Sequence, residues 1–188
     1  MRRGFKSHAE RLAAGIRLRH GSKVDEAVPL DGIATDLGVK VVAADELVPR
    51  DRLEALSAAQ PDAFSAATFR RSDGEVVIVY NPLHSPGRVR SDQAHELAHI
   101  ILDHSVQTVE RAGSLKFLTC DLEQEEEADW LAGCLLLPRE LLYVAAGRGL
   151  GAAEIAKQYG TSEPMARFRL NASGVLVQLG RARGRQSQ

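Results

Sequence analysis

Apolar and polar positions repeat along this chain with two periods, and each period predicts its own elements. Leu12, Ile16 and Arg19 fall at helical spacing, so a helix is expected over residues 8–19, with Gly21 after its end. A short helix follows between Asp31, a candidate N-cap, and Gly38, a candidate stop. The β-branched run from Val39 to Ala43 predicts a strand. Residues 45–62 are of mixed character, with Pro49 and Pro61 as breakers. Strand-like alternation returns at residues 64–70, where Phe64, Ala66 and Thr68 alternate with Ser65, Ala67 and Phe69. Asp73-Gly74 then separates this run from Val76–Tyr80. Asp-Gly between two β-prone runs predicts a hairpin, because glycine accepts the positive φ of a tight turn. A small antiparallel sheet of about three strands is expected.

From Asp92 the pattern turns helical. Ser91 or Asp92 can cap, and Ala94, Leu97, Ala98, Ile101 and Leu102 form an apolar stripe. A loop is expected at residues 105–119. A second helix starts near Asp121, which can cap it, and Gln124 stands three residues on, as in a capping box. Its apolar face uses Ala128, Leu131, Ala132 and Leu135, and Pro138 marks its end. Residues 139–146, 152–159 and 163–171 read as further helices. The fold class is α+β: a small antiparallel sheet packed with a helix pair, plus a C-terminal helical lobe over residues 139–175. One domain over residues 8–180 and a flexible basic tail at 181–188 complete the expected organisation.

Length and charge narrow the possibilities. A chain of 188 residues can bury a core without disulfides or a structural metal. Lys plus Arg number 24 against 25 Asp plus Glu, so there is no global attraction to nucleic acid or an acidic membrane. Residues 1–20 hold six Arg or Lys and one acid, and residues 165–188 five Arg and no acid, which reads as solvated basic ends. No run is long and apolar enough to span a membrane, and the first residues lack the apolar core of a signal peptide, so a cytoplasmic protein is expected. Cys120 and Cys134 form no Cys-x-x-Cys pair, and Cys134 reads as a buried thiol.

The chemistry concentrates in His95-Glu96-Leu97-Ala98-His99. On a helix, a spacing of four puts both imidazoles on one face, where both can reach one Zn²⁺. Glu96 can address the water beside the metal as general base. A catalytic zinc takes a third protein ligand and keeps an open position. His104 does not stand at the spacing of a three-histidine site, and it reads as a polar group at the helix C-terminus, where a charged imidazole is favoured. The other source is the acidic start of the second helix, where Glu123, Glu125, Glu126 and Glu127 crowd. Glu125 is favoured, because it leads Ala128 and Ala132 along the buried stripe. Asp129, four residues on, can hold a ligating histidine through its other ring nitrogen. Glu126 and Glu127 stand as the alternatives.

Residues 94–104 with residues 125–138 resemble the ImmA/IrrE family of zinc metallopeptidases. Arg88-Val89-Arg90 and the helix–short helix–strand opening fit the same family, and the resemblance covers roughly residues 8–175. Ser91-Asp92-Gln93 and Trp130-Leu131 depart from its usual pattern. The resemblance implies zinc ligands at His95, His99 and Glu125, with Glu96 as catalytic base in a thermolysin-like arrangement. It also implies a protein substrate: a helix-turn-helix transcriptional repressor, cut to relieve repression of stress-response or mobile-element genes.

Weaker signals remain. Tyr80, Tyr143 and His84 are candidates for stabilising an oxyanion or binding substrate. Val76–Tyr80 is a candidate edge for pairing with an extended substrate. Gly147, Gly149 and Ala152 match a dinucleotide fingerprint but lack its strand–helix frame, so they read as a helix–helix loop. Residues 152–171 resemble a helix-turn-helix, in which Arg167 and Arg169 would enter a major groove. A packing lobe is the favoured reading, and direct nucleic-acid binding is not expected. The alternative is a DNA-binding regulator with a structural or sensory zinc.

Overall fold

The β-branched runs end up side by side, and a helix lies across one face of the sheet they make. A computed structural model describes residues 1–71, 73–104, 109–112, 115–118 and 121–186. In chain order these form α1 (Phe5–Arg19), α2 (Leu30–Asp36), β1 (Val39–Ala43), a 3₁₀ turn (Ala44–Glu46), α3 (Arg50–Ala59), β2 (Ala66–Arg70) and β3 (Val76–Tyr80). Then come α4 (Pro86–Ile101), β4 (Val109–Ala112), β5 (Leu115–Leu118), α5 (Leu122–Leu136), α6 (Arg139–Gly147), α7 (Ala152–Tyr159), α8 (Glu163–Ala172) and α9 (Val175–Gln186). The fold is α+β.

The sheet is mixed, not antiparallel throughout. Its order is β1-β3-β2, with β1 parallel and β2 antiparallel to β3. A parallel pair needs a long crossover, and residues 44–75 supply it through α3 and β2. β3 is therefore the central strand, and the reading of Val76–Tyr80 as an open edge is corrected. Burial explains the choice. Ile78 is buried in the main core, while Val77 and Val79 join Val42 and Leu53 in a second cluster on the opposite face. A strand covered on both faces belongs in the middle. Among the described residues β2 and β1 form the edges.

Five elements differ from expectation. α3 occupies part of the stretch read as mixed, and it buries only Leu53, too little to show a stripe. α4 begins at Pro86 with Ser85 as N-cap, because proline at the first helical position has no hydrogen bond to lose. Arg88, Val89 and Arg90 are thus helical, and Ser91 and Asp92 lie inside the helix rather than capping it. Likewise Pro29, not Asp31, precedes the first residue of α2. The expected loop at 105–119 contains the antiparallel pair β4–β5. α9 runs to Gln186, so most of the segment read as a tail is helical. Its Val175 and Leu179 pack into the core, and Arg139 on α6 donates to Gln178 Oε1 at 2.9 Å.

The core joins α1, α4, α5 and the helical lobe through Ile16, Leu97, Leu131, Leu142 and Ile155. Cys134 is a fully buried thiol, as read, and burial pushes its pKa up. Arg169 is also fully buried, donating to Leu137 O at 3.1 Å and Glu10 Oε1 at 2.8 Å, beside the Trp130 ring. Gly133 makes room for it, since a Cβ there would overlap the Arg169 side chain. α7 and α8 do form a helix–turn–helix, but its Arg169 faces inward and its Arg167 pairs with Glu163. Arg169 is thus packed inside the lobe as a structural cation. Among the described residues no single helix is long and apolar enough to cross a membrane.

Candidate metal centre

The site is built where α4 and α5 pack face to face. Ala94, Ala98, Ala128 and Ala132 are all fully buried, and side chains this small let the two helices come close. α4 carries His95 and His99 one turn apart, with their Nε2 atoms at 3.0 Å. α5 brings Glu125, whose Oε2 lies 3.2 Å from His95 Nε2 and whose Oε1 lies 3.4 Å from His99 Nε2. Asp121 caps the start of α5 by accepting from the Glu123 amide at 2.9 Å, which fixes the turn that holds Glu125.

These distances fit a zinc ion. Ligand bonds of about 2.0–2.2 Å at tetrahedral angles put neighbouring donors about 3.3–3.6 Å apart. Two imidazole nitrogens and one carboxylate facing one point at 3.0–3.4 Å form a compatible donor set. The outer nitrogens are engaged elsewhere, which leaves both Nε2 atoms directed inward. His95 Nδ1 lies 2.9 Å from Asp129 Oδ1.

The metal-free electrostatics follow from the same contacts. Burial depresses His95, but the Asp129 and Glu125 carboxylates outweigh it and hold the imidazole at about 10. Burial, with the adjacent His95 charge, brings His99 down to about 4. Burial likewise pushes the Glu96 carboxyl above its ordinary range, partly offset by a hydrogen bond from Thr68. That bond is short: Thr68 Oγ1 on β2 donates to Glu96 Oε2 at 2.6 Å. Glu96 thus sits between two candidate ligands in sequence, yet points to Thr68 on the sheet.

The family model described as the IrrE N-terminal-like domain of the M78 peptidases matches residues 34–171. The chain belongs to this family. The match spans the sheet, both helices of the site and the lobe through most of α8. The curated proteins and the solved structures gave no match.

M78 peptidases depend on a metal, and the His95–His99–Glu125 group can hold one. The alternative acids are engaged away from His95 and His99. Glu126 is 64% exposed, and Glu127 is buried against Arg2, which donates from Nη2 to Glu127 Oε2 at 2.7 Å. Tyr80 and His84 line a cavity of about 380 Å³ together with Gln93, one helical turn before Glu96. His84 Nδ1 lies 3.4 Å from Asp92 Oδ2. Tyr143 is exposed on α6, whose packing partner is α9, and it is not gathered with the other candidates.

One residue of the site is missed by the sequence reading and one is misread. Thr68 carried one usable signal: it is a hydroxyl on the sheet face shared with buried Ile78, its partner across the ladder. His104 is not a charged cap at the end of α4. Its side chain is 6% exposed, burial pushes its pKa down, and its Nδ1 meets His99 Nδ1 at 3.0 Å.

Proposed function

We propose that this M78 peptidase is a zinc-dependent endopeptidase that cuts a helix-turn-helix transcriptional repressor and so relieves repression of stress-response or mobile-element genes. The observation that carries the catalytic part is the convergence of His95 Nε2, His99 Nε2 and the Glu125 carboxylate beside a partly buried Glu96. The substrate part rests on the resemblance to the ImmA/IrrE peptidases.

When bound by His95, His99 and Glu125, zinc supplies a Lewis acid for the scissile carbonyl and lowers the pKa of a water molecule. Glu96 accepts the proton of the attacking water as the new C–O bond forms. It then gives that proton to the amine as the C–N bond breaks. Thr68 holds the Glu96 carboxylate in one rotamer through both transfers. An extended substrate pairs with β2, the edge strand that carries Thr68, and not with the covered β3. Tyr80 and His84 line the cavity described above and are the retained substrate-binding candidates. The burial of Arg169 counts against the DNA-reader alternative, because that side chain cannot enter a groove without unpacking the lobe.

The test is incubation of the zinc-loaded protein with the helix-turn-helix repressor encoded beside its gene, with and without a chelator. Metal-dependent cleavage at one or a few bonds is expected. An intact repressor in the presence of zinc contradicts the substrate assignment.

A further inference from the structure

His99 is oriented by a chain of contacts that the His-Glu-x-x-His motif does not contain. Its outer nitrogen, Nδ1, lies 3.0 Å from His104 Nδ1. On the far side of that ring, His104 Nε2 is buried with no hydrogen-bond partner among the described residues and faces Glu127 Oε2 at 3.7 Å. Glu127 is 3% exposed and is gripped by Arg2 at three atoms: the Arg2 amide and Nε meet Oε1 at 3.1 and 3.0 Å, and Nη2 meets Oε2 at 2.7 Å.

Only one proton can lie between two Nδ1 atoms in hydrogen-bond contact. If His104 donated it, His99 would have to carry its own proton on Nε2, and that nitrogen could not ligate. If His99 donates it, its Nε2 lone pair is free, His104 accepts on Nδ1, and the His104 proton sits on Nε2, where it faces the Glu127 carboxylate. The second arrangement is the one that the buried Glu127 carboxylate favours, because it faces His104 Nε2.

We propose that His104 is a positioning residue for the metal centre, which fixes the tautomer and ring orientation of His99, and that Glu127, anchored by Arg2, fixes those of His104 in turn. The proposal rests on the metal-site reading above. It gives each histidine ligand its own outer partner: Asp129 for His95 and His104 for His99. It also assigns a role to the segment before α1, which lies outside the matched residues 34–171.

The experiment measures zinc affinity by competition with a chromophoric chelator for the wild type, His104→Leu, His104→Asn and His95→Ala. Leucine removes the acceptor, whereas asparagine puts its Oδ1 where Nδ1 stands. His104→Leu is expected to bind zinc about 10–100-fold more weakly, the usual cost of losing an outer partner. His104→Asn is expected to stay close to wild type, and His95→Ala to lose the metal. Nitrogen-resolved NMR of the zinc-loaded wild type is expected to show the proton of His99 on Nδ1 and that of His104 on Nε2. Should His104→Leu fail to fold, the asparagine variant and the tautomer spectrum still decide. Wild-type affinity in His104→Leu, or a His104 proton on Nδ1, overturns the proposal. Loss of zinc in His95→Ala with full affinity in His104→Leu overturns it alone. A wild-type protein that binds no zinc overturns the metal-site reading and the proposal together.

Discussion

Thr68 Oγ1 donates to Glu96 Oε2 at 2.6 Å across 28 residues of sequence, so the edge strand of the sheet directly holds the candidate base of the active-site helix. The bond also tunes that base. Burial raises the Glu96 pKa, and the Thr68 donor lowers it, because it favours the charged form. Thr68→Val keeps the shape and removes the donor. The Glu96 pKa then rises further, so a larger fraction is protonated at neutral pH and unable to accept a proton. The acid limb of the kcat/KM profile is expected to move to higher pH, with activity partly recovered as pH rises. Superimposable profiles for variant and wild type contradict this role.

Three acids of α5 have different expected outcomes. Glu125→Ala removes a ligand and is expected to abolish zinc retention through a desalting column. Glu126→Ala removes an exposed side chain and is expected to keep the metal. Asp129→Asn replaces the carboxylate that holds His95 Nδ1, so zinc affinity is expected to fall about 10–100-fold. Metal analysis of the three variants checks all of these together, and retention in Glu125→Ala with loss in Glu126→Ala moves the ligand one position along.

Zinc binding is also expected to release a proton. In the metal-free protein His95 holds its proton up to about pH 10, while His99 is neutral above about pH 4. A metal that takes both Nε2 atoms must displace the His95 proton across that window. Affinity therefore rises with pH, by about tenfold per unit between roughly pH 5 and 9. Calorimetry in buffers of different ionisation enthalpy reads the released proton directly, and a heat independent of buffer contradicts it.

What could be read from sequence follows the range of the interactions. β1, β3 and α7 were legible with their bounds, because a β-branched run or a capped amphipathic turn is a local signal. The parallel pairing of β1 with β3 was not, since it depends on which strand is covered on both faces. The helical pattern starts only at Asp92, which leaves Pro86 and Gly87 outside it. They begin α4 because proline suits the first helical position and because a Cβ at 87 would overlap the Thr161 carbonyl. In the site, His95, Glu96 and His99 come from spacing within one helix. Glu125 could be favoured from its stripe, but separating it from Glu127 needed the approach of Arg2. Thr68 and His104 owe their roles to partners placed by tertiary packing.

Arg169 provides a check on the lobe. Arg169→Met keeps the apolar stem but leaves Leu137 O without its donor and Glu10 without its partner. An unsatisfied buried acceptor costs about 1–3 kcal/mol, so chemical denaturation is expected to show a loss of that order. A DNA-reading role for this residue instead leaves stability unchanged and weakens promoter binding, which a gel-shift assay measures.

The most direct measurement is made on Glu96→Gln. The amide keeps the size of the side chain and can still accept from Thr68, but it cannot take up a proton. Wild type and variant are loaded with zinc, their metal content is measured, and each is incubated with the repressor encoded beside the gene. Equal zinc content, with cleavage by the variant slower by about 10²–10⁴-fold, is the expected result. A Glu96→Gln protein that holds zinc and cuts at the wild-type rate contradicts the central claim that Glu96 is the base of a metallopeptidase.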